Sequence, residues 1–135
     1  MDEGINKEVQ AWFDRADEDL MTVNTLLTHE KRATSAICFH SQQLAEKALK
    51  AYLIAHGKHI ERTHDLTRLV DLCAELDPEF TSLEEIGDKI SFYAVEIRYP
   101  DNWIPIPLNK AKDAFSKAKR IYDFVKIKLD PTILI

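Results

Sequence analysis

The sequence predicts an all-α fold, a five-helix antiparallel up-and-down bundle that forms one domain over residues 1–135. Five segments carry apolar residues at steps of three and four, which is the period of an amphipathic helix. The chain has only 3 glycines and 5 prolines, and this scarcity of turn-forming residues argues against a many-stranded sandwich or barrel. A chain of 135 residues is also long enough to bury a single core without disulfides.

Two long apolar stripes predict the first two helices. The first stripe runs from Ile5 to Leu27 and predicts helix 1. The second stops at Gly57, a residue that readily adopts the left-handed conformation at the C-terminus of a helix. Helix 2 is therefore predicted over residues 31–56.

Capping residues predict the starts of the next two helices. Thr63 is predicted to cap helix 3, with Asp65 in its first turn, where a carboxylate complements the helix dipole. This short helix ends before Pro78. Thr81 and Ser82 each have a glutamate three residues later, which is the capping-box signature and predicts the start of helix 4.

Residues 98–107 are predicted to form a rigid loop, because three prolines among them preclude a helix. Helix 5 begins near Asn109 and continues to Leu129. It carries seven basic and two acidic residues, whereas residues 1–30 carry eight acidic and two basic residues. Two interpretations stay open: solvated faces of opposite sign that pack as neighbours, or a basic stripe that binds phosphate.

Composition restricts the functional classes. The formal net charge of −5 disfavours nucleic-acid binding by bulk charge, although it leaves room for a local basic patch. Cys38 and Cys73 lack C-x-x-C spacing, which excludes a disulfide framework and an all-cysteine zinc site. The histidines match no established metal-site spacing, so we expect neither metal nor cofactor. The apolar runs are far shorter than the about 20 residues that cross a bilayer, and we see no secretory signal, so we expect a cytoplasmic protein without membrane contact.

Three ordered motifs resemble one family of small helical proteins. Residues 38–53 read CFHSQQLAEKALKAYL, residues 63–66 read THDL, and residues 98–101 read RYPD. In this order they resemble the HEPN domain family, and Trp12 and Asp19 resemble the opening of that family. The resemblance implies a helical bundle that usually forms a homodimer and is often encoded beside a small nucleotidyltransferase as a toxin–antitoxin pair. It also implies nucleotide or RNA as the ligand.

Many active members of this family are metal-independent ribonucleases that use an arginine followed, after four to six residues, by a histidine. Arg98 has the expected position, but no histidine follows it in the chain. Arg32 and His40 have seven residues between them, which is one too many. The resemblance therefore assigns no catalytic residue to this chain.

Four polar residues of helix 2 recur at steps of three and four and therefore share one face: Gln43, Glu46, Lys47 and Lys50. Glu46 and Lys50 are predicted to form an i,i+4 ion pair. This row is either a polar face with local pairing or the lining of a dimer cleft opposite the loop of residues 98–107. His64 and Asp65 are predicted to stabilise the start of helix 3, with the His64 ring bridging to that loop.

The loop itself supplies the remaining candidate ligand-binding residues, Arg98, Tyr99, Asp101 and Trp103. A guanidinium is a natural bidentate ligand for phosphate or carboxylate. Either Tyr99 and Trp103 close the end of the core and Arg98 pairs an acidic side chain, or the three form a binding surface. Residues of these types are enriched at interfaces, and aromatic rings also stack on bases.

We interpret the sequence as a dimeric HEPN-like binding and regulatory module with nucleotide or RNA as ligand and a small nucleotidyltransferase as partner. The dimer is predicted from surplus apolar surface near Tyr93, Ile97, Trp103 and Ile104. Two alternatives stay open: an atypical metal-independent ribonuclease, and a structural helical adaptor without a small-molecule ligand.

Overall fold

The computed structural model describes residues 3–97 and 105–129, and for residues 91–97 it describes the backbone alone. These residues form five α-helices and no strand, so the all-α class and the number of helices are confirmed. The helices are α1 (Glu3–Thr28), α2 (Thr34–Ala55), α3 (Leu66–Leu76), α4 (Glu84–Ile97) and α5 (Leu108–Lys128). None of the helices in the described part of the chain has the length and apolar character that a bilayer span requires.

Helix α2 is the centre of the bundle, with α1 and α5 packed against it. Fourteen of its 22 residues are buried, which is typical of a helix that is covered on most sides. Helix α1 runs antiparallel to α2, because Trp12 lies near Lys50 while Asp19 contacts His40. Because α2 is central, some of its polar side chains are buried together with its apolar ones.

The end of α2 follows the sequence prediction closely. Gly57 has φ 72°, the left-handed conformation that a glycine adopts without strain, and its N–H donates to the Ile54 carbonyl at 2.9 Å. The helix begins at Thr34 rather than at residue 31. Helix α5 begins at Leu108, one residue before the predicted start.

The predicted cap of α3 is wrong. Asp65 is the N-cap rather than a first-turn residue, and its carboxylate accepts from the backbone N–H groups of Thr67 and Arg68 at 3.0 and 3.5 Å. The Thr63 hydroxyl accepts from the Asp65 N–H at 3.1 Å instead. Both residue types can cap a helix, and the aspartate directly before Leu66 satisfies two orphan donors where the threonine satisfies none.

The predicted capping box before α4 is also wrong. Residues Pro78–Leu83 form a 3₁₀ helix whose N-cap is Asp77, because a proline at the first position suits a helix start and needs no N–H partner. The hydroxyls of Thr81 and Ser82 donate to carbonyls within this turn, at 2.8 and 3.0 Å. Helix α4 therefore begins only at Glu84.

The acidic helix α1 and the basic helix α5 touch through aromatic packing. The ring of Tyr122 lies 5.5 Å from that of Phe13, centroid to centroid, and its hydroxyl donates to the Asp17 carboxylate. No ion pair joins α1 to α5 among the residues described. Their opposite charges thus do not pair directly in this part of the interface.

Candidate ligand site on helix α2

The row predicted on helix 2 is one face of α2, but it lies deeper than a solvated polar face. Glu46 and Lys50 are buried, and Gln43 and Lys47 are half-buried. Buried charges are costly unless they are paired, so their partners determine what this face can do.

The first group of partners is the Glu46 network, which consists of Glu46, Lys50 and His64. The Lys50 Nζ donates to Glu46 Oε2 at 3.1 Å, which confirms the predicted i,i+4 pair. The other oxygen, Oε1, lies 2.8 Å from His64 Nδ1. The carboxylate is 4% exposed and the lysine 8%, whereas the histidine side chain is 62% exposed. A buried ion pair thus holds an imidazole that reaches the surface.

The second group is the Asp19 network, which consists of Asp19, Lys47 and His40. Asp19 Oδ2 accepts from Lys47 Nζ at 2.6 Å, and Oδ1 lies 2.8 Å from His40 Nδ1. Asp19 is buried on α1, while the lysine is 20% exposed and the histidine 31%. This network joins α1 to α2.

The two networks repeat one chemical pattern. In each, a buried carboxylate bridges a lysine ammonium and the Nδ1 atom of an imidazole. A carboxylate that accepts from a lysine acts as an acceptor toward the ring too, so Nδ1 carries the proton of that bond. The Nε2 atoms of His40 and His64 are therefore on the ring sides that point away from the carboxylates.

Trp12 covers the buried end of the row. Lys50 Nζ lies 5.7 Å from the centroid of the Trp12 ring, within the range of a cation–π contact. The ammonium is thus held between the indole of α1 and the carboxylate of Glu46. Lys50 is a fixed internal charge in this arrangement.

Gln42 anchors the connection between α2 and α3. Its Nε2 atom donates to the backbone carbonyl of His64 at 2.7 Å, which places that histidine beside Glu46. Gln42 is 2% exposed, and its Oε1 atom has no hydrogen-bond partner among the described residues. Of the two neighbouring glutamines, Gln42 thus faces the interior and Gln43 faces the half-buried row.

The structure brings the helix 2 candidates and His64 together, whereas Asp65 stabilises the start of α3, as predicted. The Asp65 carboxylate caps α3. The bridge predicted from His64 to the loop of residues 98–107 is not described, because most of that loop lies outside the described residues. The candidates Arg98, Tyr99, Asp101 and Trp103 lie there too, as does Ile104 from the predicted dimer surface. The side chains of Tyr93 and Ile97 are also outside the described part.

Asp19 and His40 were not predicted as partners of the row. One signal could have found them, because His40 and Lys47 are seven residues apart and lie almost in line along a helix. A lysine and a histidine aligned on a helix with so long an apolar stripe favour a buried acceptor on a neighbouring helix, and helix 1 offers Asp19.

The cysteines are not part of this site. Burial raises the pKa of Cys38 to about 11 and that of Cys73 to about 12, so both thiols stay protonated at neutral pH. Among the side chains that the structure describes, no group of three or more His, Cys, Asp or Glu could hold a metal ion.

A comparison with models of known protein families identifies the family. The model of the HEPN domain matches residues 9–128. The chain is also similar to the solved structure described as the crystal structure of TT1696 from Thermus thermophilus, at 29% sequence identity and a TM-score of 0.72. That match covers 90% of this chain and 98% of the other. No curated protein matches this sequence. Since the family model spans most of the chain, this protein belongs to the HEPN domain family.

Proposed function

We propose that this HEPN domain is a nucleotide- or RNA-binding regulatory module that acts as a homodimer beside a small nucleotidyltransferase, in a toxin–antitoxin pair. One observation carries the ligand class: two imidazoles and the partly exposed Lys47 are held along α2 by buried carboxylates. The Lys47 ammonium can donate to a phosphate oxygen, and an outward Nε2 atom whose ring proton is on Nδ1 accepts from a ribose hydroxyl or a base N–H. Family membership supports the same ligand class.

Preorganisation is the physical advantage of this arrangement. His40 and His64 are each tied through Nδ1, so their rings lose less conformational freedom when a ligand binds than free surface histidines would. Gln43 lies between them along α2 with an amide that can pair with a base edge. Lys50 acts indirectly, because its buried ammonium keeps the Glu46 carboxylate in place.

The predicted loop residues complete the proposed site. Arg98 supplies a guanidinium for phosphate, Tyr99 and Trp103 supply rings for a base, and Asp101 supplies an acceptor. We expect Arg98→Ala to weaken nucleotide or RNA binding by about 1.5–3 kcal/mol while the melting temperature stays nearly unchanged. Arg98→Lys keeps the charge and loses the planar fork, so retained binding there would indicate a local positive potential only. A large fall in melting temperature with no loss of binding would make Arg98 a structural ion pair.

The homodimer and the partner have their own tests. Sedimentation at micromolar concentration is expected to give twice the 15.6 kDa mass of the chain. Purification from the native host, with bound protein and nucleic acid identified, is expected to recover a nucleotidyltransferase and RNA or nucleotide. A clean monomer would remove the cleft between two copies from the proposal.

Ribonuclease activity is a second candidate, favoured by the two carboxylate-held imidazoles. An imidazole whose Nδ1 is fixed by a carboxylate presents Nε2 as a general base, the arrangement of many hydrolytic sites. The test is incubation of structured and unstructured RNA with the purified protein in the absence of metal. Cleavage that is lost in His64→Gln or His40→Gln supports this candidate, whereas no cleavage above the level of these variants excludes it.

A further inference from the structure

We propose that the solvent face of α5 binds the backbone phosphates of RNA through a line of basic residues, at a place distinct from the α2 row. The face is defined by four exposed cations of α5: Lys112, Lys119, Arg120 and Lys126. This inference rests on the RNA ligand of the proposed function and adds a second contact surface to it.

The four cations lie on the side of α5 opposite to the side that is buried in the core. The buried side of α5 consists of small and aliphatic residues with one tyrosine: Ala111, Ala114, Ala118, Ile121, Tyr122 and Val125. Because the core fixes the rotation of the helix, the opposite face always points to solvent. The line of cations is therefore presented by a rigid element.

The spacing of the lysines aligns them. Lys112, Lys119 and Lys126 follow each other at seven-residue intervals, so each lies about 10.5 Å further along the axis and about 20° around it. The line is about 21 Å long from its first lysine to its last. Arg120 lies beside the middle lysine. Such a row can follow a phosphate backbone over several nucleotides.

Most of this charge is not neutralised by the residues that the structure describes. Lys119 pairs with Asp123 at 2.9 Å, but Lys112 and Arg120 have no ion pair among the described residues. Lys126 lies 5.6 Å from the centroid of the Tyr122 ring, a contact that leaves its charge uncancelled. The whole chain carries −5, so this face is a local reversal of sign. A row of unpaired ammonium and guanidinium groups fits a polyanion, and it binds the backbone phosphates without reading the base sequence.

RNA suits the face better than a membrane surface does. A helix that lies in a bilayer interface needs an apolar side toward the lipid, and the apolar side of α5 is in the core. Only Ile127, which is 83% exposed, is a large apolar residue on the outer side. The face is also separate from the α2 row, whose partners come from α1 and the connection before α3.

The test compares two triple variants with the same change of charge. The first removes the free cations of the face: Lys112→Gln, Arg120→Gln and Lys126→Gln. The control removes three exposed lysines elsewhere: Lys7→Gln, Lys58→Gln and Lys89→Gln. The probe is a single-stranded oligouridine of about 20 nucleotides, long enough for several phosphate contacts. Dissociation constants are measured over a range of salt concentrations, and melting temperatures confirm that both variants are folded.

We expect the face variant to bind at least about tenfold more weakly at low salt and to lose about 2 from the slope of log K against log salt. The control is expected to keep the wild-type slope. Equal slopes for the face variant and wild type would overturn this inference and leave the proposed RNA ligand intact. Wild-type protein that fails to bind RNA at all would overturn both. Binding of polyglutamate or anionic vesicles as tight as that of oligouridine would assign the face to another polyanion.

Discussion

The Glu46 network and the Asp19 network contain the same three groups but differ in which group water can reach. In the Glu46 network the lysine is 8% exposed and the histidine 62%. In the Asp19 network the exposures are closer, 20% for the lysine and 31% for the histidine. The first network thus separates a structural ion pair from an accessible imidazole, while the second leaves both partners within reach of solvent.

The difference in exposure predicts different contributions of the two networks to stability. Removal of a carboxylate from beside a buried ammonium leaves an uncompensated charge, whereas a partly exposed ammonium can recover water. The Glu46 network therefore holds the connection before α3 to α2. The Asp19 network holds α1 to α2, and the loss of its carboxylate should destabilise the fold less. Both keep an imidazole in a fixed orientation.

The largest effect is expected from Glu46→Ala. It leaves the Lys50 ammonium buried and releases His64, so the free energy of unfolding should fall by about 3–5 kcal/mol. Chemical denaturation measures this loss. The exposed Glu18→Ala on α1 is the matched control and should change stability by less than about 0.5 kcal/mol. Equal effects of the two substitutions would show that Lys50 does not depend on Glu46.

Asp19→Ala is expected to be the milder of the two network substitutions. Lys47 and His40 can both turn to solvent when the carboxylate is removed, so a loss of about 1–3 kcal/mol follows. The same denaturation experiment measures it. A loss larger than that of Glu46→Ala would contradict the inference that the more buried network contributes more to stability.

The smallest effect concerns a third carboxylate contact, from Tyr122 to the exposed Asp17. Burial and, second, the bond to Asp17 raise the pKa of Tyr122 above its ordinary value of 10. The raised pKa means that the folded state favours the neutral phenol, so this contribution is complete below pH 10 and is lost as the pH rises through the folded value. Tyr122→Phe should cost about 0.5–1.5 kcal/mol at neutral pH and flatten the alkaline decline of stability. An unchanged alkaline decline in the variant would contradict this assignment.

The sequence predicted contacts within one helix better than contacts between helices. Glu46 and Lys50 were paired correctly because four residues on a helix fix their separation. The bond of Lys47 to Asp19 joins residues 28 positions apart, and it depends on how α1 docks on α2. No periodicity within α2 contains that information, so Asp19 and His40 were not predicted as members of the site.

The errors at helix starts have a local cause. Thr63 and Asp65 can both cap a helix, and two further cap candidates occur at Thr81 and Ser82. Sequence alone does not rank competing caps, because the outcome depends on which backbone N–H groups the chain leaves unpaired. In contrast, Gly57 ended α2 as predicted, since its conformational freedom is a property of the residue itself.

The central claim is that two buried carboxylates each hold an imidazole through Nδ1, and nitrogen NMR of the His40 and His64 rings at neutral pH tests it most directly. We predict that both neutral rings carry their proton on Nδ1, the minor form of a free imidazole, and that Glu46→Gln changes the spectrum of His64 while that of His40 stays as it is. Protons on Nε2 in both rings, or a response of both rings to Glu46→Gln, would contradict the two separate networks and the outward Nε2 atoms on which the proposed ligand site depends.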